Sequence, residues 1–279
     1  MRFTDLQLMF NRAFALSFSR TKMVLTFLVL ASCGLLVVFC RGLGVAAGGW
    51  VLLSLSFLPV FLCAGLLIAM GIVLIRAYHH EVKKRPHSYR SIISKSMDLM
   101  FRTSYFAVPL ILLYLLLWIC LGLFFLLKEM PFIGDYIGAI FAFGPFLLIL
   151  GSLILCVGTV VLLFFVTPAV ALSGRSLPLI SREIIYRLTS NVFLSMVFIA
   201  IGLIPLLIEV GLLSLAAVLV EVSYFDYADV LHKVLQWFFI MVPFTAILSP
   251  AVIFFFNFAA ETHSFFKKRM KHEAAGLSY

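Results

Sequence analysis

VLLSLSFLPVFLCAGLLIAMGIVLIRAYHHEVKKRP, residues 51–86, decides what kind of protein this is. From Val51 to Ile75 it carries no charge; from Arg76 to Pro86 it holds four Lys and Arg, two His and one Glu. At 1.5 Å per residue, a helix over Val51–Ile75 reaches about 37 Å, more than the roughly 30 Å of bilayer hydrocarbon. The run is continuously apolar rather than alternating, so it reads as a spanning helix and not as a barrel strand. Arg76–Pro86 then poses a choice between an active site and the part of a membrane protein that water reaches.

Composition answers in favour of a membrane. Of 279 residues, 64% are hydrophobic and 12% charged, with 30 Phe, and the mean hydropathy is +1.17. A soluble domain of this size needs far more polar surface. Five more apolar segments accompany Val51–Ile75, namely Met23–Cys40, Phe106–Leu127, Gly138–Val166, Val192–Ile208 and Val234–Phe258. The fifth span, which opens at Val192, has room to run further. An all-α integral membrane protein with six transmembrane helices is expected.

Charge orients it. The N-terminus holds four Lys and Arg, loop 76–105 seven, loop 172–191 three and the tail four, whereas loops 41–50, 128–137 and 221–233 hold one each. Alternate sides therefore carry eighteen against three, and the positive-inside rule puts both termini in the cytoplasm. The surplus of +9 lies in membrane-proximal loops, an arrangement that fits an anionic leaflet and not a nucleic acid.

The chain is expected to be a single polytopic domain built from three units, approximately 1–77, 78–171 and 172–279. Each unit is a helical hairpin preceded by an interfacial amphipathic helix. Lead-ins Phe18-Ser19-Arg20-Thr21-Lys22, Phe101-Arg102-Thr103-Ser104 and Arg187-Leu188-Thr189-Ser190-Asn191 align. Leu6, Phe10, Phe14 and Phe18 form the apolar stripe of the first; Ile93, Met97, Met100 and Phe101 that of the second; Ile180, Ile184 and Leu188 that of the third. Thr167-Pro168-Ala169-Val170 and Ser249-Pro250-Ala251-Val252 echo each other late in the fourth and sixth spans.

On this pattern, and on the bridge FFVTPAVALSGRSLPLISREIIYRLTSN (residues 164–191), the chain resembles a family of six-span bacterial membrane proteins. That family includes the membrane domain fused to some glycerophosphodiester phosphodiesterases. The resemblance implies an integral partner of lipid or envelope metabolism in the bacterial inner membrane. The catalytic phosphodiesterase barrel has no counterpart here, since no polar segment is long enough to hold one.

Several tempting chemistries fail on spacing. Leu30-Ala31-Ser32-Cys33 fits a lipobox, but the whole of segment 1–22 precedes the apolar stretch, and the stretch continues past Cys33. His79 and His80 diverge by about 100° on a helix, so they suit no shared metal ion, and a solvated loop is expected there. Lys83-Lys84-Arg85-Pro86 has the first element of membrane lipid phosphatases without the later ones; Leu188 stands where the nucleophilic His would be. The five Cys lie in or beside spans without metal spacing.

Candidate ligand-binding residues are the quiet polar positions of the spans. Pro168 and Pro250 free carbonyls at Phe164 and Ala246, with Thr167 and Ser249 beside them. Asn257 and Glu261 share a helix face and are placed to meet Arg182 or Arg187. Glu209, the one acid inside an apolar run, is expected near the outer interface. Candidate anionic-lipid headgroup contacts are Lys83, Lys84, Arg85, Arg102, Arg182, Arg187, Lys267, Lys268 and Arg269. No catalytic residue, metal or cofactor is expected. A non-enzymatic inner-membrane protein is anticipated, a carrier or a scaffold for lipid and envelope processes; the alternative is an integral-membrane enzyme acting on lipids. The partner in either case is the bilayer, including anionic phospholipid.

Overall fold

The computed structural model describes residues 3–47, 49–84, 88–130, 143–173, 192–224 and 230–276. Among the described residues every regular element is helical. Chain order gives α1 (Phe3–Ala15), α2 (Arg20–Ala47), α3 (Gly49–Val82), α4 (Tyr89–Ser104), a 3₁₀ turn (Tyr105–Ala107), α5 (Val108–Lys128), α6 (Gly144–Ser173), α7 (Val192–Tyr224) and α8 (Val230–Gly276). Six helical stretches, one each through α2, α3, α4–α5, α6, α7 and α8, are long and apolar enough to cross a membrane.

Successive helices pack pairwise, α2 on α3, α5 on α6 and α7 on α8. Two of them organise the bundle. Helix α3 touches α2, α4, α5, α6 and α8, and α8 touches α1, α2, α3, α6 and α7. Helix α7 leans chiefly on α8, and Phe193, Leu207, Leu212 and Leu215 stand exposed on it. Exposed apolar side chains in such numbers are what lipid, not water, tolerates.

The core is concentrated toward the end where α2 begins and α3, α6 and α8 finish. Ala251–Ala260 of α8 is buried throughout, as are Leu163–Ala171 of α6 and Met70–Ile75 of α3. Aromatic rings fill this region: Phe254 and Phe258 stack at 5.7 Å, Phe164 meets Phe255 at 5.5 Å, and Phe198 meets Phe266 at 5.4 Å. Gly71 lets α3 approach this cluster, since a Cβ there would lie 2.3 Å from Phe256 Cε1 and 2.8 Å from Thr167 Cγ2.

One expectation changes in detail. The apolar run of α3 does not give way to a loop at Arg76; the helix continues to Val82, burying Ala77 and Tyr78. The turn after it has Lys84 in the left-handed region (φ 51°), with its N–H donated to Glu81 O at 2.9 Å. Neither Pro168 nor Pro250 ends its helix: α6 runs on to Ser173 and α8 to Gly276. Helix α7 continues past Glu209 to Tyr224, in keeping with a fifth span that runs on beyond Ile208.

The stripes of α1 and α4 also divide. On α1, Leu6 and Phe10 pack inward beside Met9 and Ala13, while Phe14 and, past the helix end, Phe18 stay exposed. On α4 the inner face is Ile92, Ser96 and Thr103, and Met97 and Phe101 point outward. Ser96 on that inner face accepts from Arg76 of α3. The third stripe, at 180–188, lies outside the described residues.

Candidate functional site at the basic end of the bundle

Burial of a charge is costly unless the charge is paired and hydrogen-bonded. The basic end meets that demand twice. Lys22, at the start of α2, is fully buried. Its Nζ pairs with Glu81 Oε2, donates to Leu16 O at 3.2 Å and sits 5.6 Å from the centre of the Tyr78 ring. The second Glu81 oxygen accepts from Tyr89 OH at 3.0 Å. One carboxylate therefore ties α2, α3 and α4 together.

A second carboxylate, Glu261 of α8, accepts from Tyr78 OH at 2.6 Å and from Arg12 Nη1 at 3.4 Å. One turn earlier, fully buried Asn257 donates from Nδ2 to Ala13 O at 3.2 Å and to Ser17 Oγ at 3.4 Å. Asn257 and Glu261 do share a face, and that face clamps α1 onto α8. Among the described residues the arginine at Glu261 is Arg12; Arg182 and Arg187 lie outside them.

Arg76 behaves differently. Half-buried near the end of α3, it donates from Nε to Ala171 O at 3.3 Å and from Nη1 to Ser96 Oγ at 2.7 Å and Lys95 O at 3.3 Å. These bonds join α3, α4 and α6, and every acceptor is neutral. Arg76 opens onto a cleft of about 520 Å³ that His79, His80 and Lys95 also line. The two His thus share one wide cleft despite their divergence around the helix. Among the described residues no group of three or more His, Cys, Asp or Glu is placed to hold a metal ion.

The remaining candidates scatter. Thr167 is fully buried with its Oγ1 unpartnered, and Pro168 is buried beside it. Ser249 donates to Thr245 O at 2.8 Å, and Pro250 is half-buried. Glu209 stands on α7 with Oε2 enclosed and no hydrogen-bond partner. No hydrogen bond or ion pair among the described residues joins it to the other candidates. Lys83, Lys84, Lys267 and Lys268 are exposed at the basic end. Exposed Arg102 pairs with Asp98 one turn away at 3.1 Å. Arg85 lies outside the described residues, and Arg269 falls within α8 with its side chain outside them.

Sequence reasoning missed Lys22, Tyr78 and Glu81 as a unit. Lys22 looked like one surface cation among four, and Glu81 like part of a loop. A signal was there: Tyr78 and Glu81 stand at i and i+3, the spacing of neighbours on one helix face.

Fold and site define a class, the all-helical multi-pass membrane protein. Compared with protein-family models, with curated proteins and with solved structures, the chain matches none of them.

Proposed function

We propose that the chain is a non-enzymatic protein of a bacterial cytoplasmic membrane, a scaffold that gathers anionic phospholipid at its basic end. Both termini and that end face the cytoplasm. Helices α1 and α4 lie in the headgroup plane, with Phe14, Phe18, Met97 and Phe101 dipping into the acyl region. Three hairpin units of common descent fit the aligned lead-ins and the two Pro-Ala-Val echoes. The resemblance to the membrane domain of glycerophosphodiester phosphodiesterases agrees with a role beside lipid metabolism.

One observation carries this reading: the charge at the basic end is only partly compensated. Lys22 and Arg12 have carboxylates, while Arg76, Lys83, Lys84, Lys95, Lys267 and Lys268 have none within ion-pair distance among the described residues. Each such cation beside an anionic leaflet is worth about 1 kcal/mol. Native mass spectrometry of the full chain released from nanodiscs of mixed phosphatidylcholine and phosphatidylglycerol tests it. Enrichment of retained phosphatidylglycerol over the bulk ratio is expected; retention at the bulk ratio overturns the reading.

A second reading, a carrier, has Glu209 behind it. An acid enclosed within an apolar helix is a coupling-site candidate by default. Proton-dependent flux lost in Glu209→Gln, with lipid enrichment unchanged, would favour it.

A further inference from the structure

We infer that the cleft between α3, α4 and the end of α6 is a binding site for a phosphate ester. This rests on the scaffold reading for its setting and sharpens it from a diffuse basic surface to one pocket. At about 520 Å³ the cleft has the size of a small-molecule site, large enough for a phosphate and the glycerol-sized group that bears it.

Its walls divide by chemistry. Arg76 and Lys95 bring two basic side chains to suit the two negative charges of a phosphate ester. His79 and His80 also line it, and Ser88 and Ser91 add polar side chains. Ile92, Ala171 and Leu172 supply an apolar wall. Such a lining accepts an anionic head joined to a carbon skeleton, not a bare cation or a wholly apolar ligand.

The electrostatics point the same way. Arg76 spends Nε and Nη1 on neutral acceptors, and no carboxylate among the described residues lies within ion-pair distance of Arg76 or Lys95. The other deeply placed cation, Lys22, has a carboxylate of its own. A half-buried guanidinium fixed by three bonds is pre-aimed, so an arriving anion meets an ordered donor. Helix α4 begins at the cleft mouth: Ser88 caps it without a side-chain bond, and its first turn holds no acid. Its leading N–H groups and dipole favour the same negative charge.

The ligand has two sources, a phosphatidic-acid-type headgroup in the leaflet or a soluble phosphate ester from the cytoplasm. The test uses the full chain in phosphatidylcholine nanodiscs, alone, with a minor fraction of phosphatidic acid, or titrated with glycerol 3-phosphate. Lipid retention is read by native mass spectrometry and soluble binding by calorimetry. The variants are Arg76→Gln, Lys95→Gln and, at the opposite end of the bundle, Lys128→Gln. Lys95 is exposed and its ammonium is in no ion pair among the described residues, so Lys95→Gln keeps the test valid even where Arg76→Gln fails to fold.

Binding of at least one probe is expected, weakened about fivefold in Lys95→Gln and more than about tenfold in Arg76→Gln, with Lys128→Gln unchanged. Binding of phosphatidic acid alone assigns the site to a headgroup, and binding of glycerol 3-phosphate alone assigns it to a soluble ester. Binding of neither overturns the inference. So does equal weakening in Lys128→Gln, or binding that Lys95→Gln leaves intact. Phosphatidylglycerol enrichment that survives Lys95→Gln and Arg76→Gln, with no phosphate-ester binding, leaves the scaffold reading standing and removes this one.

Discussion

Glu81→Gln isolates the charge that holds Lys22 in the bundle. The substitution keeps the side chain's shape, deletes the negative charge facing a fully buried ammonium, and turns the oxygen that accepts from Tyr89 OH into an N–H that the hydroxyl can accept in turn. Two unit charges about 4 Å apart attract by about 4 kcal/mol at an effective dielectric of about 20. The amide oxygen can still accept from Nζ, returning about 1 kcal/mol, so the net loss is about 3 kcal/mol. That matches the roughly 3–5 kcal/mol seen when one member of a buried pair is removed. Lys22→Met should cost less, about 1–2 kcal/mol. It leaves Glu81, whose side chain is 17% exposed, with water and the Tyr89 hydroxyl to satisfy it. The double variant, with no buried cation left, should be more stable than Glu81→Gln alone. Reversible unfolding in mixed micelles with increasing SDS measures all three. A Glu81→Gln loss below about 1 kcal/mol, or a double variant equal to the sum of the singles, would refute the pairing argument.

Gly71→Ala should destabilise by about 1–3 kcal/mol in the same assay, because its Cβ would lie 2.3 Å from Phe256 Cε1 in a packed aromatic core; Gly211→Ala, with nothing within 4 Å, should be neutral or stabilising. Asn257→Ala should cost about 1–3 kcal/mol and speed hydrogen exchange in α1 more than in α3, since it removes both donations to Ala13 O and Ser17 Oγ. Lys84→Gly should stabilise by up to about 1 kcal/mol in thermal unfolding, because the left-handed conformation at φ 51° costs a residue with a Cβ. In intact cells, a membrane-impermeant thiol reagent should label Glu129→Cys and leave Lys84→Cys unlabelled, in a chain whose five native Cys are first replaced.

The spans were legible because lipid imposes one strong, local rule: a helix must be apolar for about 20 residues. Val51–Ile75 obeys it so plainly that α3 could be placed from composition alone. Where α3 stops was not legible. Arg76, Tyr78 and Glu81 look like loop residues one by one, and only their partners on α2, α4, α6 and α8 make a helical continuation favourable. Which residues of α1 and α4 meet the protein was not legible for a related reason. Apolar periodicity finds the most hydrophobic side of a helix, but beside lipid that side can turn outward while Ser96 and Thr103 face the protein. Within the site, Asn257 and Glu261 were found because an i, i+4 spacing is local; Arg12, at the other end of the chain, left no mark in sequence that pattern reasoning could read.

The two kinds of cation at the basic end serve different ends, and compensation tells them apart. Lys22 and Arg12 face carboxylates and join α2 to α3 and α1 to α8, so their charges are consumed by the fold. Arg76 also joins three helices, but its bonds go to two carbonyls and a hydroxyl and leave its positive charge unmatched. A neutral donor such as Gln, with two N–H groups and a shorter reach, would keep only part of this bonding, while sparing a charge at the end of an apolar span. Beyond its fork of donors, a guanidinium there brings an attraction for a negative group arriving from outside the protein. The polar stretch after Ile75 is therefore more than a bare solvated loop, since its first seven residues continue the helix to Val82. It is a helix end whose inward face is neutralised by the bundle and whose outward face keeps its charge.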